Sequence, residues 1–294
     1  MKFGNKKKDN KAAASQRKLR EAVLIQEERK QILSSSSDFF IREAYKTLRT
    51  NVSFALADDA SGKAVLVTSS LQSEGKSITA VNLAISYAMM ERKVIVVDCD
   101  LRRPKLARLL KVAAPEGLSN LLMSRSKAAE DVIVASGIKN LDVLPAGDIP
   151  PNPSELLASS RMEALLEELR GKYDLIVLDT PPINMVTDAV VLAPQTDGVL
   201  FVVRANRSER GAVIHAVEQL EYVKIKILGF VLNGVDLEHT SYGYGKHHYK
   251  RNGYRKYGYR RYSYGYRRYG YGYSKYGYGY SSRKHSQEQK DNAQ

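Results

Sequence analysis

The sequence predicts an α/β fold with a mostly parallel sheet covered by helices on both faces, and basic, disordered segments at both ends. Three observations predict it. β-Branched apolar runs at 64–67, 94–98, 141–144, 174–178, 198–203 and 226–232 alternate with segments of helical period. Strands separated by helices pair in parallel, because the crossover returns the chain to the same sheet end. The stretch 63–84 reads KAVLVTSSLQSEGKSITAVNLA, a strand, a small-residue loop and a helix start. Two later apolar runs, VIVVD and LIVLD, each end in an aspartate, Asp98 and Asp179.

The elements follow in order. Residues 1–18 are charged, small and aperiodic, so they lack the means to bury a core. Between Lys18 and Leu33, Leu19, Val23, Ile32 and Leu33 give weak helical amphipathicity, ending at the Ser34–Ser37 run. A solvated basic helix satisfies that pattern, as does one that meets a partner or anionic lipid. Asp38 is placed to cap a helix over FFIREAYKTLRTNVSFAL. Glu43, Lys46 and Arg49 fall three apart on its polar face, where intrahelical ion pairing is sufficient to account for them. After the strand and helix of 64–90 comes strand 94–98, then a cationic cluster (Arg102, Arg103, Lys105, Arg108) and an unpatterned region through Ala135. In PPNPSELL, Asn152 is placed to cap a helix over 154–170, with Pro153 at its first position and Glu155 reaching back. Strand 174–178, a helix from about Thr187, strand 198–203, helix 208–222 and strand 226–232 complete the alternation. The expected divisions are a basic, partly helical segment (1–35), the α/β domain (36–238) and a tail (239–294).

Gly75-Lys76-Ser77 sits where a phosphate-binding loop needs it. Loop N–H groups and the positive helix N-terminus cradle phosphate oxygens, and Lys76 reaches the β- and γ-phosphates. Ser77 supplies a hydroxyl to Mg²⁺. The strict pattern has glycine six residues before the lysine; this chain has Ser70. The nucleotide-binding stretch is therefore Ser73, Glu74, Gly75, Lys76, Ser77 and Ile78. Asp98, Asp100 and Asp179 extend the argument. A lone aspartate there marks where a buried strand surfaces, but carboxylates ending neighbouring parallel strands converge on the ligand crevice of an open α/β sheet. There they hold Mg²⁺ or take a proton.

Composition narrows the setting. The 294 residues are 43% hydrophobic, with no tryptophan and one cysteine, Cys99, which excludes a disulfide framework and favours a reducing compartment. No signal peptide is evident, and runs such as Val199–Val203 are too short to span a bilayer. The expectation is a cytoplasmic protein that reaches a membrane only through a partner or a surface contact. The net charge of +14 is uneven: residues 1–34 hold ten basic and four acidic residues, and residues 241–294 hold thirteen and two. The middle, with 23 basic and 26 acidic residues, is mildly acidic. Beyond Thr240 the chain turns to tyrosine, glycine, arginine and lysine, with fifteen of its 19 tyrosines between Tyr242 and Tyr280. Such a tail cannot bury a core.

Taken together, the loop at 70–77, VIVVDCDLRRP, PPNPSELL, LIVLDTPP and the tyrosine cluster resemble the bacterial tyrosine kinases of P-loop type from capsule and exopolysaccharide systems. The resemblance covers about residues 36–282. It implies a P-loop NTPase fold and an ATP- and Mg²⁺-dependent autokinase acting in trans on its own tail. Lys76, Asp98, Asp100 and Asp179 are then catalytic, and Ser77, Asp98 and Asp179 hold the metal. Glu43, Lys46 and Arg49 match a helix that joins subunits into a ring. Tyr264, Tyr266, Tyr269, Tyr271, Tyr273, Tyr276, Tyr278 and Tyr280 are the expected phosphoacceptors. The implied partners are a transmembrane activator of the polysaccharide co-polymerase kind, which recruits the kinase to the inner face of the plasma membrane, and a tyrosine phosphatase; no nucleic acid is expected. Two positions depart from the family: Ser73 replaces a loop glycine, and Lys46 replaces an arginine, giving up bidentate pairing. A ParA/MinD-like positioning ATPase is the rival, but Leu71 stands at its signature lysine. An Arg-Tyr-Gly tail that stacks on single-stranded nucleic acid is the other alternative.

Overall fold

The structure is a computed structural model that describes residues 22–56 and 62–235. The expectations for residues 1–21 and for the tyrosine-rich tail lie outside the described residues. Seven strands form one sheet: β1 (Lys63–Ser69), β2 (Val94–Asp98), β3 (Val134–Ile138), β4 (Leu141–Leu144), β5 (Leu175–Asp179), β6 (Gly198–Arg204) and β7 (Ile227–Asn233). Their order is β3-β4-β2-β5-β1-β6-β7, and every pairing is parallel except β3 with β4. This is the predicted α/β class. β2 and β5 are buried along their whole length, and β1 in all but its first residue, because helices cover both faces. That is why they read as unbroken apolar runs rather than alternating ones. The register sets Asp98 beside Asp179 at the C-terminal sheet edge.

The helices are α1 (22–30), α2 (Phe39–Leu56), α3 (Lys76–Ala88), α4 (Leu106–Leu110), α5 (Leu118–Met123), α6 (Pro153–Leu157), α7 (Ser160–Arg170), α8 (Asp188–Leu192) and α9 (Arg210–Tyr222). One core packs α3 on the sheet and gathers Val52 and Leu56 of α2; the other gathers Leu118, Met162, Leu166 and Phe201. Asp38 caps α2, accepting from the Phe40 N–H at 2.8 Å. The N-terminal segment does not end its packing where the sequence divides. Ile25 and Leu33 are buried in the α3-side core, the Leu33 N–H donates to Asn82 Oδ1 at 2.7 Å, and Asn82 Nδ2 donates to the Gln31 carbonyl at 2.9 Å.

Two expectations need correction. The region after β2 holds α4, α5 and the antiparallel edge strand β3, none of which its pattern announced. The single helix expected over 154–170 is two helices. Ser159 breaks it, its hydroxyl donating to the Leu156 carbonyl at 2.6 Å and accepting from the Met162 N–H at 3.3 Å. Asn152 makes no side-chain cap; its amide donates instead to Glu155 Oε2 at 2.8 Å.

Candidate active site

The phosphate loop leaves β1 after Ser69 and enters α3 at Lys76, so the first N–H groups of α3 open towards the sheet edge. Gly75 has φ 97°, and a Cβ there would lie 1.8 Å from Asn233 Nδ2. Only glycine fits both the left-handed backbone and that approach. Ser73, the departure from the family pattern, is also left-handed at φ 65°, a strain of about 1–2 kcal/mol for a residue with a Cβ. Its carbonyl accepts from Arg204 Nη1 at 2.9 Å, which helps hold it there. Glu74 is 1% exposed and faces away from the ligand side. Its carboxylate accepts from Ser70 Oγ (2.8 and 3.0 Å), from the Leu71 N–H (2.8 Å) and from Ser208 Oγ. The Glu74 carbonyl accepts from Asn233 Nδ2 at 3.0 Å. The loop is thus tied to the ends of β6 and β7.

Lys76, where α3 begins, crosses to the carboxylates. Its Nζ lies 3.3 Å from Asp100 Oδ2, 3.2 Å from Asp179 Oδ1 and 3.2 Å from Ser77 Oγ. Burial opposes the ammonium charge, but Asp179, Asp100 and Asp98 outweigh it and hold its pKa above the usual lysine value. Burial raises the Asp179 pKa, and the nearby Lys76 charge only partly offsets this. Asp179 Oδ2 is buried without a hydrogen-bond partner, an orphaned acceptor beside the Ser77 hydroxyl. A hard divalent cation fits such oxygen donors. No cluster of three His, Cys, Asp or Glu among the described residues forms a protein-only cage. The donor set therefore suits a cation that shares phosphate oxygens and water.

Asp98 is placed differently from its neighbours. Oδ2 accepts from the Lys105 and Leu106 N–H groups at 3.0 and 2.9 Å, and Oδ1 from the Asp100 N–H at 3.3 Å. Both oxygens are taken by the loop that follows β2, so Asp98 staples that loop and leaves Asp100 to face Lys76. Burial and the Asp179 charge push its pKa up to about 7. Cys99, between the two aspartates, is fully buried, and burial together with Asp98 holds its thiol pKa well above the ordinary value.

A cavity of about 860 Å³ opens over this cluster, lined by Ser73, Gly75, Lys76, Ser77, Asp100 and Arg102 among others. Ile78 also lines it; Glu74, Asp98 and Asp179 do not, Asp179 lying behind Lys76 with its Oδ1 3.2 Å from Lys76 Nζ. Three further residues have roles that sequence reasoning did not assign. Asp188, fully buried at the start of α8, receives Arg102 Nε and Nη2 at 2.9 and 3.0 Å, and Ser154 Oγ donates to it as well. Ser208 completes the Glu74 cluster. Ser154 follows PPNP and Asp188 follows Thr187, and neither local pattern points to the other. On α2, Lys46 pairs with Glu43 at 2.7 Å, while Arg49 Nη1 donates to the Ser86 carbonyl on α3 at 2.7 Å. The structure therefore does not present the three as one free charged face.

Residues 46–227 match the AAA domain family. The tyrosine-protein kinase YwqD of Bacillus subtilis is 41% identical over 203 residues, covering 69% of this chain and 85% of the relative. The chain belongs to the bacterial tyrosine-protein kinases. The Staphylococcus aureus protein CapB, named a putative tyrosine-protein kinase, is 38% identical over 70% of this chain and 91% of its own. The kinase domain of the Escherichia coli tyrosine kinase ETK superposes with a TM-score of 0.64 at 35% identity, over 70% of this chain and 80% of that one. The tyrosine-protein kinase is thus built on a P-loop NTPase-like sheet. No helix among its described residues is long and apolar enough to cross a membrane.

Proposed function

We propose that this kinase binds ATP with Mg²⁺ and phosphorylates the tyrosine cluster of a neighbouring copy, and that the modification regulates capsular or exopolysaccharide synthesis and export. The observation that carries the reading is Lys76 seated between Asp100 and Asp179 at the floor of the cavity, in a chain with fifteen tyrosines between Tyr242 and Tyr280. ATP, when bound, would supply the phosphoryl group, and Mg²⁺ the positive charge that offsets the negative charge developing on it in transfer. Lys76, now paired with Asp100 and Asp179, would hold the β- and γ-phosphates. Ser77 and Asp179, whose Oδ2 has no hydrogen-bond partner, would hold the cation. Asp100 takes the proton from the incoming tyrosine hydroxyl, which at a pKa near 10 does not ionise unaided. Asp98 keeps Asp100 aimed through the loop that it staples, a positioning part in place of the ligand role implied for it.

A tethered tail supplies its hydroxyls at high local concentration to the next subunit. Glu43, Lys46 and Arg49 belong to a ring contact in this reading, which requires Arg49 to share or leave Ser86. A transmembrane activator recruits the kinase to the inner face of the membrane, and a phosphatase resets the tail. Each phosphate adds about −1.5 to −2 charges, so several reverse the sign of the tail and drive copies apart. The test mixes a chain truncated after Thr240 with a full-length Lys76→Met chain, labelled ATP and Mg²⁺. Label is expected on the inactive full-length chain. Unlabelled tails beside a partner that binds ATP would overturn the reading, and salt-dependent binding to single strands would support the nucleic-acid alternative.

A further inference from the structure

Arg102 carries a charge that neither the family resemblance nor the mechanism above has used. It follows Asp100 by two residues in the loop that Asp98 staples and lines the same cavity as Lys76, Ser77 and Asp100. One edge of its guanidinium is spent: Nε and Nη2 grip the two oxygens of Asp188, and Nη2 also donates to Ser154 Oγ at 3.2 Å. Asp188 is fully buried, and Ser154 donates to it from the first turn of α6. Three distant segments thus converge on one fork, whose arginine side chain is 40% exposed. Nη1 makes no hydrogen bond among the described residues. A guanidinium clamped by a buried carboxylate and a serine hydroxyl holds its remaining nitrogen, Nη1, in a fixed direction, where its two N–H groups suit phosphate oxygens. Asp188 and Asp100 keep it fully charged.

We propose that Arg102 is a phosphoryl-facing cation of this site, and that Asp188, with Ser154, is the positioning residue that aims it. The assignment rests on the kinase reading and adds to it a residue that stabilises the group in transfer rather than the bound nucleotide. The plain rival is a rivet, an ion pair that ties α8 to the loop and contributes to stability alone.

Binding separates the two. Full-length protein and its Arg102→Lys and Asp188→Asn variants are titrated with Mg·ADP, and with Mg·ADP plus aluminium fluoride, which mimics the phosphoryl group in flight. Arg102→Lys keeps a charge for Asp188 but gives up the outward-facing Nη1, so it is the variant expected to fold normally. The proposal expects Mg·ADP affinity within twofold of the parent and the aluminium fluoride complex weakened tenfold or more, in both variants. Autophosphorylation should lose kcat at least tenfold, with the KM for ATP within threefold. An unchanged aluminium fluoride complex in folded Arg102→Lys would overturn it, as would parallel loss of both affinities. A parent chain that binds Mg·ADP but never forms phosphotyrosine would instead sink the kinase reading on which it rests.

Discussion

Replacing Glu74 by alanine tests whether the phosphate loop is organised from inside. The Glu74 carboxylate is 1% exposed and accepts two hydroxyls and one main-chain N–H. A hydrogen bond to a charged acceptor contributes about 1.5–3 kcal/mol, and a buried donor left without a partner costs about 1–3 kcal/mol. The Ser70 and Ser208 hydroxyls can turn to other acceptors; the Leu71 N–H cannot. The expected loss is therefore about 3–4 kcal/mol, short of the full sum. In a domain of roughly 200 residues, 1 kcal/mol moves Tm by about 2–4 °C, so the melting point should fall by about 6–16 °C. The loop also positions the N–H groups of Gly75 and Lys76, so ADP affinity should fall at least tenfold. Calorimetry supplies both numbers on one preparation. Glu74→Gln, which keeps an acceptor for Leu71, should lose less than half as much. Glu74→Ala with Ser208→Ala should be less than additive, since the two share one bond. A Glu74→Ala protein within 2 °C of the parent and with unchanged ADP affinity would refute the reasoning.

The remaining expectations concern neighbouring residues. Gly75→Ala must displace Asn233 and hold a left-handed alanine, so it should lose about 2–4 kcal/mol of stability together with nucleotide binding, read by thermal melting and ADP titration. Lys76→Met should abolish tyrosine labelling in a protein whose circular dichroism matches the parent, since Lys76 is the cation nearest both carboxylates. Asp100→Ala and Asp179→Ala should each lose most activity, whereas Asp98→Asn should keep a measurable fraction of it. Because the Asp98 pKa is raised in the folded state, its ionisation opposes folding. The contribution of Asp98 therefore turns against folding as pH rises from about 4 through about 7, and Asp98→Asn should gain on the parent across that window in pH-dependent melts. Arg49→Ala should weaken any salt-sensitive oligomer seen by sedimentation and also cost about 1 kcal/mol by leaving the Ser86 carbonyl unpaired.

The parts legible in the sequence are those whose signal is local and long enough. β1, β2 and β5 announce themselves as apolar runs because both faces are covered, and the Gly75-Lys76-Ser77 turn announces the loop because its chemistry is confined to a few residues. β3 was silent for the opposite reason: VASGI is an exposed, bulged edge strand with no apolar alternation. α4 and α5 are five and six residues long, too short to show a period. Ser159 suits a helix interior on a polar face as well as a cap, so the break between α6 and α7 was invisible. The expectation for Arg49 treated α2 as a lone helix, whereas α3 supplies its partner 37 residues away. Glu74 and Arg102 went unread because Ser208 and Asp188 lie 134 and 86 residues along the chain. Nothing local encodes such a meeting.

The position of Cys99 has a consequence for oxidative life. It is the one thiol in 294 residues, walled in at the centre of the sheet edge with its N–H bonded to the Asp179 carbonyl at 2.8 Å. Thiolate is the reactive form, and both burial and the surrounding carboxylates suppress it. Disulfides and thiol-alkylating reagents therefore meet no thiol until β2 and β5 part. The same seclusion makes Cys99 a native clock. Its rate of reaction with a chromogenic disulfide reports how often the seam between the two aspartate-bearing strands opens, and bound ADP should slow it.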